Sequence, residues 1–193
     1  MAPFSSPILL GGPKRLAEIF ALRTLAWERS PGRQQINSSK YPNGYSDCLD
    51  ANSLHFVSTD WNGNIIAAAR LSVCNSYADL PYPEMFAQLL HLLPQQRPFA
   101  FYSRLVIHPD YRKRGIAQAM DTMRMEKQQE LQLPFGLVTV NAKRCLKIQP
   151  YGFVRLGYTP KPEGDAPFEP LALMRLNLEE IRLPQQLLLD AVV

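Results

Sequence analysis

The run Phe99-Ala100-Phe101-Tyr102-Ser103-Arg104-Leu105-Val106-Ile107 is followed by His108-Pro109-Asp110, then by Tyr111-Arg112-Lys113-Arg114-Gly115-Ile116-Ala117 and an amphipathic segment to Leu131. Aromatic and β-branched residues fill Phe99 to Ile107, so it reads as a strand buried on part of both faces, ended by the His-Pro-Asp turn. A helix follows almost at once. Between strand and helix, Gly115 and Ala117 are small enough to let backbone approach a ligand, and the new helix opens with N–H groups that have no partner inside it. Arg112, Lys113 and Arg114 flank that opening, which makes the turn an anion site in outline.

Upstream, Asn64 to Val73 and Ser53 to Thr59 read as two strands, joined through Asp60-Trp61-Asn62-Gly63, whose Asn-Gly pair sets a tight hairpin. Met85, Phe86, Leu89, Leu90 and Leu93 predict an amphipathic helix over Glu84 to Leu93. Leu16, Ile19, Phe20, Leu22, Leu25 and Ala26 recur at helical spacing, so Lys14 to Arg29 is a further amphipathic helix, stopped by Ser30-Pro31-Gly32. Residues Met1 to Pro13, rich in Pro and Gly, read as a loose arm. The polar stretch Arg33 to Asn52 is a long loop of the kind that carries function.

Downstream, Met120, Met123 and Met125 read as core packing rather than a soft-metal face. Phe135 to Val140 is a strand, and Asn141 to Leu156 is helical with an interruption at Pro150. Leu183 to Val193 is a Leu-rich tail that packs on the domain or on a second copy of the chain.

With 193 residues and 46% hydrophobic content, the chain suits one domain with a sizeable core. Its net charge of +4 is modest and scattered, with no long basic tract, which argues against a nucleic-acid surface. Cys48, Cys74 and Cys145 are too far apart for a disulfide framework or a zinc site, so no metal is expected and a reducing, cytoplasmic setting is the default. No apolar run approaches the length of a bilayer span, and the N-terminus lacks a signal-peptide order.

The pattern Arg112-x-x-Gly115-x-Ala117, directly after a strand and opening a helix, resembles the acyl-coenzyme A pyrophosphate loop of the GNAT superfamily of N-acyltransferases. The similarity runs from about Lys14 to about Leu178: the hairpin resembles the superfamily's second and third strands, Phe153-Val154-Arg155-Leu156-Gly157-Tyr158 its segment ending in Gly-Phe, and Leu171 to Leu178 its closing strand. The resemblance implies a single α/β domain over residues 1–193. Its mixed, strongly bent sheet would splay between the fourth and fifth strands and carry helices on both faces. It implies acetyl-coenzyme A, or another acyl-coenzyme A, as cofactor. Arg112, Gly115, Ile116 and Ala117 would hold its pyrophosphate and Lys113 and Arg114 its phosphate charge, while backbone at Leu105, Val106 and Ile107 would bond to the pantetheine arm and Asn141 would make a further polar contact.

Acyl transfer to an amine needs a held nitrogen, a route for its proton and an acid for the departing thiolate. Many relatives place that acid as a Tyr five residues before the final aromatic of the Gly-Phe segment, but that position here is Phe153, which has no proton to donate. Tyr151, two residues earlier, takes its place as a catalytic candidate. Where relatives carry a carboxylate in the fourth strand, this chain has Phe101 and Tyr102. His55, His91 and His108 titrate in a useful range but read as structural, and Cys145 as a buried small residue.

Ser103-Arg104-Leu105, Arg70-Leu71 and the stretch Asp47 to His55 resemble a narrower group, the acyl-homoserine-lactone and N-acyl amino acid synthases, and make Ser103 a second catalytic candidate. The primary expectation is therefore transfer of an acyl group from acyl-coenzyme A to the primary amine of a small molecule or peptide. The narrower resemblance implies an N-acyl amino acid or lactone product and acyl carrier protein as donor, docked on the basic loop. A third reading keeps the fold and the coenzyme A but drops turnover, leaving a binding or assembly module.

Overall fold

The computed structural model describes residues 4–29, 41–81, 83–159 and 171–183. The expected helix stop at Ser30-Pro31-Gly32, residues 33–40 of the Arg33 to Asn52 loop and the tail beyond Leu183 lie outside the described residues. Among the described residues the α-helices and strands are β1 (Ile8–Leu9), α1 (Leu16–Glu28), β2 (Leu54–Thr59), β3 (Ile65–Cys74), β4 (Phe99–Ile107), α2 (Ile116–Glu130), β5 (Phe135–Val140), α3 (Ala142–Ile148), β6 (Val154–Tyr158) and β7 (Ala172–Asn177). The strands form a mixed, seven-stranded sheet in the order β1-β2-β3-β4-β5-β7-β6. Among the described residues no helix is long and apolar enough to cross a membrane.

The chain divides into two compact units, one built on Met1–Leu71 and Ser103–Arg124, the other on Ser72–Tyr102 and Met125–Val193. In the first, α1 buries Ile19, Leu22 and Ala26 against Val57, Ile65, Ala68 and Val106. That stripe at i, i+3 and i+7 is the apolar face expected of Lys14 to Arg29. The hairpin pairs β2 with β3 antiparallel, Thr59 facing Ile65. Its loop is longer than a two-residue turn: Gly63 takes φ +81°, and the Asp60 carboxylate accepts from the backbone N–H of Asn62 and Asn64, each at 2.9 Å. The N-terminal arm is not loose throughout. Ile8 and Leu9 pair antiparallel with Val57 and Phe56, and Ser5 N–H bonds to Thr59 O at 2.8 Å, because the outer edge of β2 offers unpaired backbone groups.

In the second unit, β4 pairs with β5 in parallel over Ala100–Tyr102 and Gly136–Val138, although β4 runs on to Ile107 and β5 to Val140. A ladder that stops short of both strand ends fits the expected splay. β5 pairs with β7, and β7 with β6, both antiparallel. Phe99 stacks on Phe135 with ring centroids 5.2 Å apart, and the Tyr102 ring meets Phe153 edge-on at 5.6 Å.

Two helix expectations need correction here. Glu84 to Leu93 is not an α-helix but two 3₁₀ turns, Pro83–Met85 and Ala87–Leu92, closed by bonds such as Leu89 N–H to Phe86 O at 2.8 Å. Phe86 and Leu89, both buried, lie three residues apart, a spacing that a three-residue period serves as well as a 3.6-residue one. Asn141 to Leu156 is helical only to Ile148. A 3₁₀ turn, Gln149–Tyr151, follows, Gly152 at φ +101° ends it, and Val154 onward is strand β6. Pro150 has no N–H to continue an α-helix, and it occupies the first turn of the new segment instead.

Candidate functional site

The basic turn after β4 is built from local chemistry. His108 Nδ1 accepts the Asp110 N–H at 3.3 Å, Tyr111 N–H bonds to His108 O, and the chain then places Lys113 at φ +61° and Gly115 at φ +80° on either side of Arg114. α2 starts at the next residue. Ala119 N–H bonds back to Gly115 O at 3.2 Å, so the N–H groups before it belong to the open first turn of the helix. A Cβ built on Gly115 would meet no atom within 4 Å. Buried Ile116 and Met120 anchor the helix behind this opening, so Ile116 can serve a ligand through its backbone only.

The flanking cations are not alike. Arg114 donates from Nη2 to Asp110 O at 3.0 Å and lies 5.2 Å from the Tyr111 ring centroid, while its Nη1 is shielded from solvent and has no hydrogen-bond partner. Arg112 is folded back. Its Nη2 donates to Ala26 O in the last turn of α1 at 3.1 Å and its Nε reaches Ile107 O at 3.4 Å, so it braces the loop against the helix. Lys113 is exposed. In the preceding strand Val106 is buried in the core and Leu105 and Ile107 are half-buried.

Asn141 and Tyr151 lie in the other unit. The Asn141 side chain caps α3, its Oδ1 accepting from Arg144 N–H at 2.9 Å. Tyr151 is buried at the end of its 3₁₀ turn, its carbonyl accepting from Arg182 N–H at 3.1 Å. Ser103 belongs to the first unit, where its hydroxyl accepts from Arg70 Nε at 3.0 Å.

That bond is the edge of a buried ionic network. Arg23, on the buried face of α1, holds Asp50 with both terminal nitrogens, at 2.8 and 2.9 Å. Arg70, fully buried in β3, reaches Asp47 at 2.6 Å and Asp50 at 2.7 Å. Arg104 in β4 donates from Nε to Asp47 Oδ2 at 2.8 Å and from Nη1 to the Tyr45 hydroxyl at 2.8 Å, and its Nη2 also contacts Asp47. Burial opposes ionisation of Asp47, yet hydrogen bonds from Arg70 and the charge of Arg104 hold its carboxyl below the ordinary carboxylate range. Asp50 is held low in the same way, against its burial, by Arg23 and then Arg70. His55 bonds through Nε2 to Asp50 O at 2.9 Å, and burial pushes its pKa down, with Arg23 and Arg70 adding to the fall.

Arg104 also has φ +54°, a left-handed backbone inside a strand. The narrower resemblance pointed to Arg70, Ser103, Arg104 and the Asp47 stretch. Arg23 was hidden, because a charged residue on an amphipathic helix is ordinarily read as its wet face. Its position between Leu22 and Ala26, one step from the apolar stripe, was the available signal.

Coenzyme A, implied by the loop, needs close backbone donors and unspent cationic donors for its pyrophosphate. The open glycine, the unfilled first turn of α2 and the partnerless Arg114 Nη1 meet that requirement. Gly115, Ile116 and Ala117 would hold the pyrophosphate through backbone N–H groups, with Arg114 as the charged partner.

The structure is similar over 100% of this chain and 99% of the other to FeeM, an N-acyl amino acid synthase from uncultured soil microbes, with 15% identity and a TM-score of 0.69. It is also similar to histone acetyltransferase HPA2 and related acetyltransferase from Corynebacterium glutamicum (16% identity, 90% and 97% of the chains, TM-score 0.62). A third likeness is to the ribosomal-protein-S18-alanine N-acetyltransferase of Escherichia coli (15% identity, 89% and 94%, TM-score 0.58). No curated protein sequence matches the chain. The sequence model of the Acetyltransferase (GNAT) family matches residues 18–127, from α1 to the last turns of α2, and the chain therefore belongs to that family.

Proposed function

We propose that this protein is an N-acyltransferase that uses acyl-coenzyme A to acylate a primary amine by direct attack, working in the reducing cytoplasm. The observation that carries the donor reading is the open, left-handed Gly115 at the start of α2, where the first-turn N–H groups have no partner inside the helix and Arg112, Lys113 and Arg114 flank the turn. Coenzyme A supplies the activated thioester. The acceptor nitrogen forms its bond to the acyl carbon, the carbon–sulfur bond breaks, the nitrogen loses a proton, and the thiolate leaves with one. Ser103, whose hydroxyl accepts from Arg70 and keeps its own proton to give, and Tyr151 are the groups offered for that last proton. Leu105 to Ile107 would receive the pantetheine arm, and Asn141 would contribute its exposed amide group.

A second reading narrows the acceptor to an amino acid and the donor to an acyl carrier protein. It is favoured by the Arg70–Ser103 and Asp47–Arg104 bonds, which realise the residues that resemble the N-acyl amino acid synthases, and by the full-length likeness to FeeM.

Calorimetry with acetyl- and decanoyl-coenzyme A is expected to give micromolar affinity, weakened about tenfold or more in Arg114→Ala, in keeping with loss of a charge-assisted hydrogen bond. No heat with any acyl-coenzyme A would overturn the donor reading. Thiol release across a panel of amines and amino acids reads the acceptor, and a flat panel would leave a coenzyme A-binding module. Long-chain N-acyl amino acids in extracts, found by mass spectrometry, would select the second reading, and short-chain products alone would exclude it.

A further inference from the structure

Arg104 carries a left-handed backbone inside β4. Its φ of +54° is a conformation that an L side chain adopts reluctantly, and arginine has no local side-chain bond of the Asn or Asp kind to favour it. Such a backbone persists only where its surroundings over-determine it. Here they do so through the side chain. Asp47 accepts from both Nε and Nη2, Tyr45 accepts from Nη1, and the Tyr45 ring lies 4.4 Å from the guanidinium carbon. Asp47 is itself fixed by Arg70, and its backbone N–H donates to the Asp50 carboxylate at 2.8 Å. The Arg104 guanidinium is thus held at all three of its nitrogens by half-buried partners, and Leu105 alone separates it in sequence from Val106.

We infer that Asp47, with Tyr45, is a positioning residue: by clamping the Arg104 guanidinium it holds the backbone at residue 104 left-handed and so sets the direction in which Leu105, Val106 and Ile107 present their N–H and C=O groups to the acyl donor. A strand alternates its backbone groups from one side to the other at each residue, so a straight Arg104 would redirect all three. This inference rests on the donor reading above and adds to it a link from the Tyr45 to Asp50 segment to the donor edge.

Alanine and glycine at position 104 both remove the guanidinium, but only glycine enters the left-handed region without penalty. Coenzyme A binding by calorimetry is therefore expected to weaken about tenfold in Arg104→Ala and to stay within about twofold of the parent in Arg104→Gly, a difference of the size the left-handed penalty predicts. A merely structural role would follow the same order in a thermal melt but leave the coenzyme A affinity of the folded protein alike in the two variants. Asp47→Asn is expected to weaken binding in the parent protein and to have less effect when combined with Arg104→Gly, with thermal melts of each variant confirming the fold. Equal losses in Arg104→Ala and Arg104→Gly, or a larger loss in the glycine variant, would overturn the inference while leaving the donor reading intact. A parent protein that binds no coenzyme A removes the donor reading, and the inference with it.

Discussion

A Cβ at position 152 would stand 2.0 Å from the Glu180 carbonyl oxygen, and the backbone there has φ +101°. Both conditions admit glycine alone, and Gly152 is where the 3₁₀ turn ends and β6 begins. Gly152→Ala is accordingly expected to cost about 2–4 kcal/mol, combining steric overlap with backbone strain. For a chain of this size that is a fall in Tm of roughly 5–15 °C in a thermal melt. An unchanged Tm would mean that the two segments part easily. His55 is a second residue whose environment fixes a measurable outcome. Its folded-state pKa lies below the ordinary histidine value, so as pH falls through about 6.5 the unfolded chain takes up the proton first and stability declines. Asp47 and Asp50 are depressed as carboxylates, so their contribution is complete above about pH 4 and is lost as pH falls further, through their folded values. Two windows of acid destabilisation follow, and His55→Gln is expected to abolish the upper one alone in denaturation curves taken from pH 7.5 to 3.

At the scale of elements, the parts whose identity depends on local pattern were legible in the sequence. The strand read over Phe99 to Ile107 is β4 to the residue, Phe135 to Val140 is β5, and α2 opens one residue after the glycine that announced it. Each has a period or a punctuation that survives without knowledge of its neighbours. Elements that depend on remote partners were not. Arg23 finds Asp50 at a separation of 27 residues, and Arg104 finds Asp47 at 57. α2 buries Asp121, Arg124 and Gln128 along with Met120 and Met125, because Arg124 pairs with Asp121 and Gln128 Oε1 accepts from the Tyr102 hydroxyl at 2.6 Å. Polar residues on a helix are read as its solvent face unless a partner is known, and that is why Arg23 and the buried polar face of α2 escaped, while Arg70, Arg104 and the Asp47 stretch were reached through the resemblance alone. The 3₁₀ turns between Pro83 and Leu92 were missed for a different reason: over so short a run, apolar residues at i and i+3 satisfy both helical periods.

For the molecule as a whole, a ligand that binds only the folded chain adds its binding free energy to stability. At a hundred times Kd this is about 2.7 kcal/mol, so saturating acetyl-coenzyme A is expected to raise Tm by roughly 5–10 °C. Free acetate at the same concentration leaves it unchanged. A shift produced equally by inorganic pyrophosphate would assign the gain to the basic turn alone. The two compact units bear on how such measurements can be designed. Each is assembled from separated stretches, Met1–Leu71 with Ser103–Arg124 and Ser72–Tyr102 with Met125–Val193, and β3, β4 and α2 each pass from one to the other. No single cut of the gene therefore yields either unit by itself. Isolating either unit requires joining its two stretches directly or co-expressing them as fragments, and a truncation that loses binding says nothing about which unit holds the ligand.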